Sequence, residues 1–135
     1  MSLVVDASVA LAWCVGDPSS AHADFVLTLL GNTDAIVPPH WEIEVLNGLM
    51  VAEKHGRVGP GDPDRLMGLL AGLPITVASP ARGPGLKLLR RLADQHRLST
   101  YDAAYLELAL RNGDQLISMD PAIANAARKE GVGGS

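Results

Sequence analysis

The stretch from Leu3 to Val15, LVVDASVALAWCV, decides how the chain is read. Leu3-Val4-Val5 is a β-prone run that stops at Asp6, and Ser8 to Val15 is apolar enough to form a buried first helix. Asp6 is therefore expected as the last residue of strand one, at the mouth of the interior. A carboxylate there costs free energy unless something cationic meets it.

The rest of the chain repeats the alternation of strand and helix. After the Gly16-Asp17-Pro18 break, Ser19 or Ser20 caps a helix carrying Ala21, Phe25, Val26, Leu29 and Leu30 at helical spacing, which ends near Gly31-Asn32. Ala35-Ile36-Val37 is a second strand, closed by Pro38-Pro39. Trp41 to Lys54 is a helix with Trp41, Val45, Leu49 and Ala52 in register; Ile43, Leu46 and Met50 make it apolar over most of its girth. His55 to Asp64, rich in Gly and Pro, is expected as a turn before a short helix from Arg65 to Gly72. Pro74 to Val77 reads as a third strand. From Gly85 to Arg97 a helix turns Leu86, Leu89, Leu92 and Ala93 inward and Lys87, Arg90, Arg91 and Asp94 outward. Ser99 or Thr100 caps the helix Tyr101 to Arg111, which Asn112-Gly113 ends. Gln115 to Ser118 is a fourth strand running to Asp120, and Pro121 opens a last helix ending near Lys129. Strands joined by helical crossovers predict an α/β protein: a three-layer α/β/α sandwich around a mostly parallel sheet of four to five strands, as one domain over residues 1–135.

Four acids stand at the edges of apolar segments: Asp6, Glu44, Asp102 and Asp120. Alone, Asp6 or Asp120 can cap the helix that follows, and Asp102 can complement the dipole of its helix. Glu44 is harder to explain that way, since Trp41, Ile43, Val45 and Leu46 surround it and a buried Glu needs a partner. A parallel sheet would bring all four to one edge, beyond the carboxyl ends of its strands. Clustered carboxylates favour a hard cation, Mg²⁺ or Mn²⁺. Zinc has no support: His22, His40, His55 and His96 are scattered, Cys14 is alone, and the histidines read as surface or loop residues. A divalent cation completed by phosphate oxygens makes phosphodiester hydrolysis the leading chemistry.

The segments VVDASVALAW, Trp41-x-x-Glu44-Val45-x-Asn47-x-Leu49, LSTYDAAYLELA and LISMD resemble the PIN-domain ribonucleases, in particular the VapC toxins of bacterial toxin–antitoxin pairs. The resemblance runs over nearly the whole chain. It implies that Asp6, Glu44, Asp102 and Asp120 are the catalytic, metal-binding set. It also implies that Ser8 and Ser118 orient the carboxylates or a metal-bound water, with Ser118 standing where the family often has Thr. Such proteins cut RNA endonucleolytically with Mg²⁺ or Mn²⁺ and are held inactive by an antitoxin whose C-terminal tail lies over the active-site groove.

The remaining features bound that expectation. A net charge of −4 favours a small defined substrate, a tRNA or a structured loop, over a long RNA held by charge alone. Asn47 shares a helix face with Glu44 and is expected either to bond it or to pack. Glu107 is off the Asp102 face and reads as a surface or partner contact. Lys87, Arg90, Arg91 and Arg97 are a solvated face or a phosphate track, and Trp41, Tyr101 and Tyr105 are core or dimer packing. With 47% apolar residues in 135 positions, a homodimer is expected through the helices around Phe25 to Leu30 and Trp41 to Met50. No run is long enough to span a membrane, and the lone Cys14 and absent leader fit a cytoplasmic protein. Two other classes share part of the pattern. A receiver or phosphatase-like Mg²⁺ domain would want a second acid near Asp6, where Ala7 and Ser8 stand, and a PIN fold kept only as a protein-binding module would be expected to have lost an acid.

Overall fold

Four strands of three residues each form the sheet in the computed structural model, which describes residues 2–16, 24, 26–28 and 30–133. β1 (Leu3–Val5), β2 (Ala35–Val37), β3 (Ile75–Val77) and β4 (Gln115–Ile117) lie in the order β3-β2-β1-β4, every pair parallel. Val4 and Val5 are fully buried, as a central strand covered on both faces requires. The C-terminal segment extends the β4 edge by a single bridge, where Leu116 N donates to Val132 O at 2.7 Å.

Among the described residues, the helices bounded as elements are α1 (Ala7–Val15), α2 (Trp41–Lys54), α3 (Asp62–Ala71), α4 (Pro84–His96), α5 (Thr100–Asn112) and α6 (Pro121–Lys129). They fall into two packing groups. α1 packs on α2 and α2 on α3, while α4 packs on α5 and α5 on α6. The right-handed rule for parallel crossovers puts these groups on opposite faces of the sheet, giving the α/β/α sandwich. Close approach of α1 and α2 depends on Gly48, because a Cβ there would lie 2.5 Å from Leu11 Cδ1. Strand order reverses beside β1: the chain moves from β1 outward to β3, then returns to β4. The carboxyl ends of β1 and β4 therefore flank the topological switch point, where sheets of this kind bind ligands.

Most expected elements are found within a residue or two. Asp24 and residues 26–28 are helical, with Val26 and Leu30 buried; the rest of the expected helix between Ser19 and Gly31, with Phe25 and Leu29, lies outside the described residues, as does His22. α3 starts earlier than expected, at Asp62 rather than Arg65. Pro63 sits in its first turn, where a missing N–H costs nothing, and Asp62 Oδ2 accepts from Gly59 N at 2.7 Å. Leu86 is 53% exposed instead of inward, on the first turn of α4 where Leu89 and Leu92 take the buried face.

Glu107 is corrected outright. Far from being a surface residue it is 2% exposed, and Arg111 one turn later grips it from two nitrogens, Nη2 to Oε1 at 2.9 Å and Nε to Oε2 at 3.1 Å. The third arm of the guanidinium, Nη1, donates to Ser79 O at 2.9 Å and ties α5 to the loop after β3. A fork of this kind satisfies a buried carboxylate as a Lys would not. Arg111→Met should therefore lower the urea unfolding free energy by about 3 kcal/mol, the cost of leaving a buried charge unpaired, whereas the double variant Arg111→Met with Glu107→Met should recover most of it.

Candidate acidic active site

Asp6 leaves β1 in extended conformation and becomes the N-cap of α1, its Oδ1 accepting from Val9 N at 3.3 Å. Two serines close over it. Ser8 Oγ donates to Oδ1 and Ser118 Oγ to Oδ2, each at 2.5 Å. Each hydroxyl also accepts a backbone N–H from the chain leaving β4: Met119 N reaches Ser8 Oγ and Asp120 N reaches Ser118 Oγ, both at 2.9 Å. A hydroxyl has one proton to give, so acceptance from these amides leaves that proton for Asp6. Both carboxylate oxygens thus face donors, an arrangement that suits only the ionised acid. Burial opposes it: Asp6 is 3% exposed, and desolvation, with a contribution from Asp120, outweighs these hydrogen bonds and pushes its pKa up to about 6.

Glu44 is positioned by α2, half-buried on the turn above Trp41. Tyr105 Oη of α5 donates to Glu44 Oε1 at 2.6 Å, and His40 Nε2 lies 3.1 Å from the same oxygen. Burial works to raise this carboxyl, but the bonds from His40 and Tyr105 and the imidazole charge hold it below the usual range. His40 in turn is raised, first by its bond to Glu44, against the effect of its own burial. Its Nε2 also meets Tyr101 O at 2.9 Å, and its ring packs edge-on against Tyr101 and Tyr105 with centroids 5.7 and 5.2 Å apart.

Asp102 and Asp120 complete the acidic edge. Ser99 caps α5, accepting from Asp102 N at 3.0 Å, and its hydroxyl also supports the charged form of the Asp102 carboxylate. Burial raises the Asp102 pKa, and the charges of Glu44 and Asp120 raise it further. Asp120 is exposed at the N-cap of α6, where Oδ1 accepts from Ala122 N at 2.8 Å and Ile123 N at 3.4 Å. The charge of Asp120 thus reaches both Asp6 and Asp102, and that of Glu44 reaches Asp102. Among the described residues, no three acidic, imidazole or thiol side chains converge tightly enough to enclose an ion as they stand. The donor chemistry nevertheless fits a hard divalent cation. Every donor is a carboxylate oxygen, the two Asp carboxyls raised by burial and repulsion are those a cation would relieve, and Glu44 Oε2 receives neither of the donors held by Oε1. Asp6 keeps a lone pair on each oxygen beyond its seryl bonds.

The six residues expected at the site, Asp6, Ser8, Glu44, Asp102, Ser118 and Asp120, thus divide into a tight knot of Asp6, Ser8 and Ser118, a Glu44 cluster, Asp102 in the first turn of α5, and Asp120 at the cap of α6, coupled through charge. Asn47 is exposed on α2, and Lys87, Arg90, Arg91 and Arg97 are exposed, with Arg90 4.0 Å from Asp94. His40 was missed and is no loop bystander. The signal was its i,i+4 spacing to Glu44, just as Tyr105 stands three residues after Asp102 on the same helix face. Tyr105 is packed as expected, yet its hydroxyl belongs to the site; Tyr101 is 65% exposed and is not core.

The PIN-domain family model matches residues 3–129, and the chain belongs to that family. Two solved structures share the fold. PAE2754 from Pyrobaculum aerophilum superposes with a TM-score of 0.70 at 23% identity, over 93% of this chain and 79% of that one. The Mycobacterium tuberculosis toxin VapC20, which cleaves the sarcin–ricin loop, gives 0.64 at 16% identity over 93% and 95%. No curated protein matches the sequence. Among the described residues, no helix is long and apolar enough to cross a membrane.

Asp6 makes stability depend on pH in a stated direction. The folded carboxyl, at about 6, holds its proton more tightly than the unfolded one near 3.8, so its contribution is present below about pH 4 and lost as pH rises through about 6. Comparing urea unfolding of metal-free wild type and Asp6→Asn at pH 4 and pH 7 should show the variant gaining, relative to wild type, up to about 3 kcal/mol across that window. A difference that does not change with pH would remove the burial argument.

Proposed function

We propose that this PIN-domain chain is a metal-dependent endoribonuclease, the toxin of a toxin–antitoxin pair, working as a single domain in the cytoplasm. The observation that carries the reading is Asp6 buried at the switch point between the hydroxyls of Ser8 and Ser118, with the charge of Asp120 reaching it and those of Glu44 and Asp120 reaching Asp102. A structural cap would not need a second hydroxyl reaching it from the far end of the chain.

Asp6, Glu44, Asp102 and Asp120 would hold Mg²⁺ or Mn²⁺. When bound, such a cation supplies a water of lowered pKa as nucleophile and offsets charge on the phosphate oxygens. The protein's own residues set the frame for this: Ser8 and Ser118 keep both Asp6 oxygens aimed and deprotonated, and Glu44 is fixed from α2. No side chain serves as a covalent nucleophile. The modest, dispersed basic surface fits an RNA of defined shape, a tRNA or a structured loop, and the VapC20 likeness supports the choice of RNA. Ile43, Leu46, Met50 and Val51 form an exposed apolar stripe on α2, which supports a homodimer and an antitoxin segment seated nearby.

Purified protein with Mn²⁺ should cut structured RNA. Asp6→Asn, Glu44→Gln and Asp102→Asn should each lower the rate by about 100-fold or more, and Cys14→Ser should leave it unchanged. Circular dichroism should show all four folded. Full activity in Asp102→Asn would take Asp102 out of the reaction, and RNA left intact by wild type across Mg²⁺ and Mn²⁺ would sink the nuclease reading. By sedimentation the protein should run as a dimer that Ile43→Asp dissociates; a wild-type monomer would leave the stripe to the antitoxin alone.

A further inference from the structure

Glu44 is held in a way that neither its burial nor its charge requires. Tyr105 Oη donates to Oε1 at 2.6 Å, and His40 Nε2, whose single hydrogen is shared with Tyr101 O at 2.9 Å, lies 3.1 Å from the same oxygen. A carboxylate merely being satisfied in a half-buried place would take donors on either oxygen, or water. Here the two converge from different elements, and Oε2 receives neither.

The protons of this arrangement are fixed by chemistry. Tyr101 O and Glu44 Oε1 can only accept, so Nε2 of His40 must carry the hydrogen in either of its contacts. Tyr105 is 1% exposed, so its ring cannot swing away, and burial beside Glu44 keeps the phenol protonated far above the physiological range. The imidazole packs edge-on against Tyr101 and the buried Tyr105. Tyr105 also stands three residues from Asp102 on α5, so its bond ties the Glu44 carboxylate of α2 to the helix turn that presents Asp102.

We infer that Tyr105 and His40 form a two-donor clamp that fixes Glu44 through Oε1 and keeps Oε2 facing the other acids, as positioning residues for the divalent cation of the site. The inference rests on the nuclease reading and adds to it. Clamping a ligand by bonds to its other atom removes the rotamer freedom that binding would otherwise have to freeze, and loss of such outer bonds commonly weakens metal affinity or activity by about 10- to 100-fold.

The test uses Mn²⁺ alone as ligand, titrated calorimetrically into wild type, Tyr105→Phe, His40→Phe and Leu70→Val, with single-turnover RNA cleavage in parallel. Leu70→Val is the control: it trims the buried core on α3, away from the clamp, and should lower the melting temperature without touching Mn²⁺ affinity. Tyr105→Phe keeps the ring and should weaken Mn²⁺ by about tenfold or more, with kcat falling and KM for RNA unchanged; His40→Phe should act in the same direction. Wild-type affinity in Tyr105→Phe overturns the clamp, and so does an equal loss in Leu70→Val, which would trace the effect to general stability. If wild type cuts RNA while Tyr105→Phe binds Mn²⁺ normally, the clamp alone falls. A wild type that neither binds Mn²⁺ nor cuts RNA takes the clamp and the nuclease reading down together.

Discussion

One buried carboxylate organises this molecule. Asp6 ends the central strand, has almost no contact with water, and must be matched by donors or lose its charge. Its match comes from two hydroxyls, one on the helix it caps and one just past β4, the strand paired with β1, and those hydroxyls are themselves fixed by two amides of the chain leaving β4. The cap of α1, the end of β4 and the start of α6 are thereby locked into one register. Moving any of them by a residue would leave a buried oxygen without its donor, a cost of about 1–3 kcal/mol per group.

The other half of the site is built on different physics. Around Glu44 the donors are aromatic or flanked by aromatics, and the chain has few of these to spend. Both tyrosines and one of its four histidines gather here, and the third partner of the cluster is a backbone carbonyl rather than a side chain. Glu44 is thus held below the usual carboxyl range while Asp6 and Asp102 are held above it. Acids on one sheet edge with pKa values pushed apart are the mark of a site in which charge is placed for use, not shared out evenly.

How far the amino-acid sequence discloses this depends on whether a feature is local. LVVDAS shows a strand, a cap and a buried acid because each is decided within a few residues. The helix Trp41–Lys54 and the cap at Ser99 are legible for the same reason. Leu86 deceived because helical spacing cannot say which end of an apolar face the fold will cover. Glu107 deceived because a face judged relative to Asp102 ignores what packs on the opposite side; its i,i+4 Arg111 was the available sign that a charge could be buried there. His40 went unread because its i,i+4 spacing to Glu44 does not by itself announce the two tyrosines that α5 brings over. The acids themselves were found from their edges, but which would be knotted, clamped or merely felt through the field depends on side-chain packing that only the folded chain decides.

The sheet order also governs when the site can exist. Asp6 and Ser118 are separated by 112 positions, and β4, the strand that seats Ser118 beside Asp6, is the last of the four to be synthesised. A chain growing from its amino end can assemble β1, β2 and β3 with their helices while one side of β1 stays unpaired and Asp6 lacks the donor it takes from Ser118. The knot closes only once β4 and Ser118 have been made, so a product truncated before them would carry Asp6, Glu44 and Asp102 without the geometry that aims Asp6. For a chain proposed to cut RNA, that order would leave an unfinished copy without its complete site.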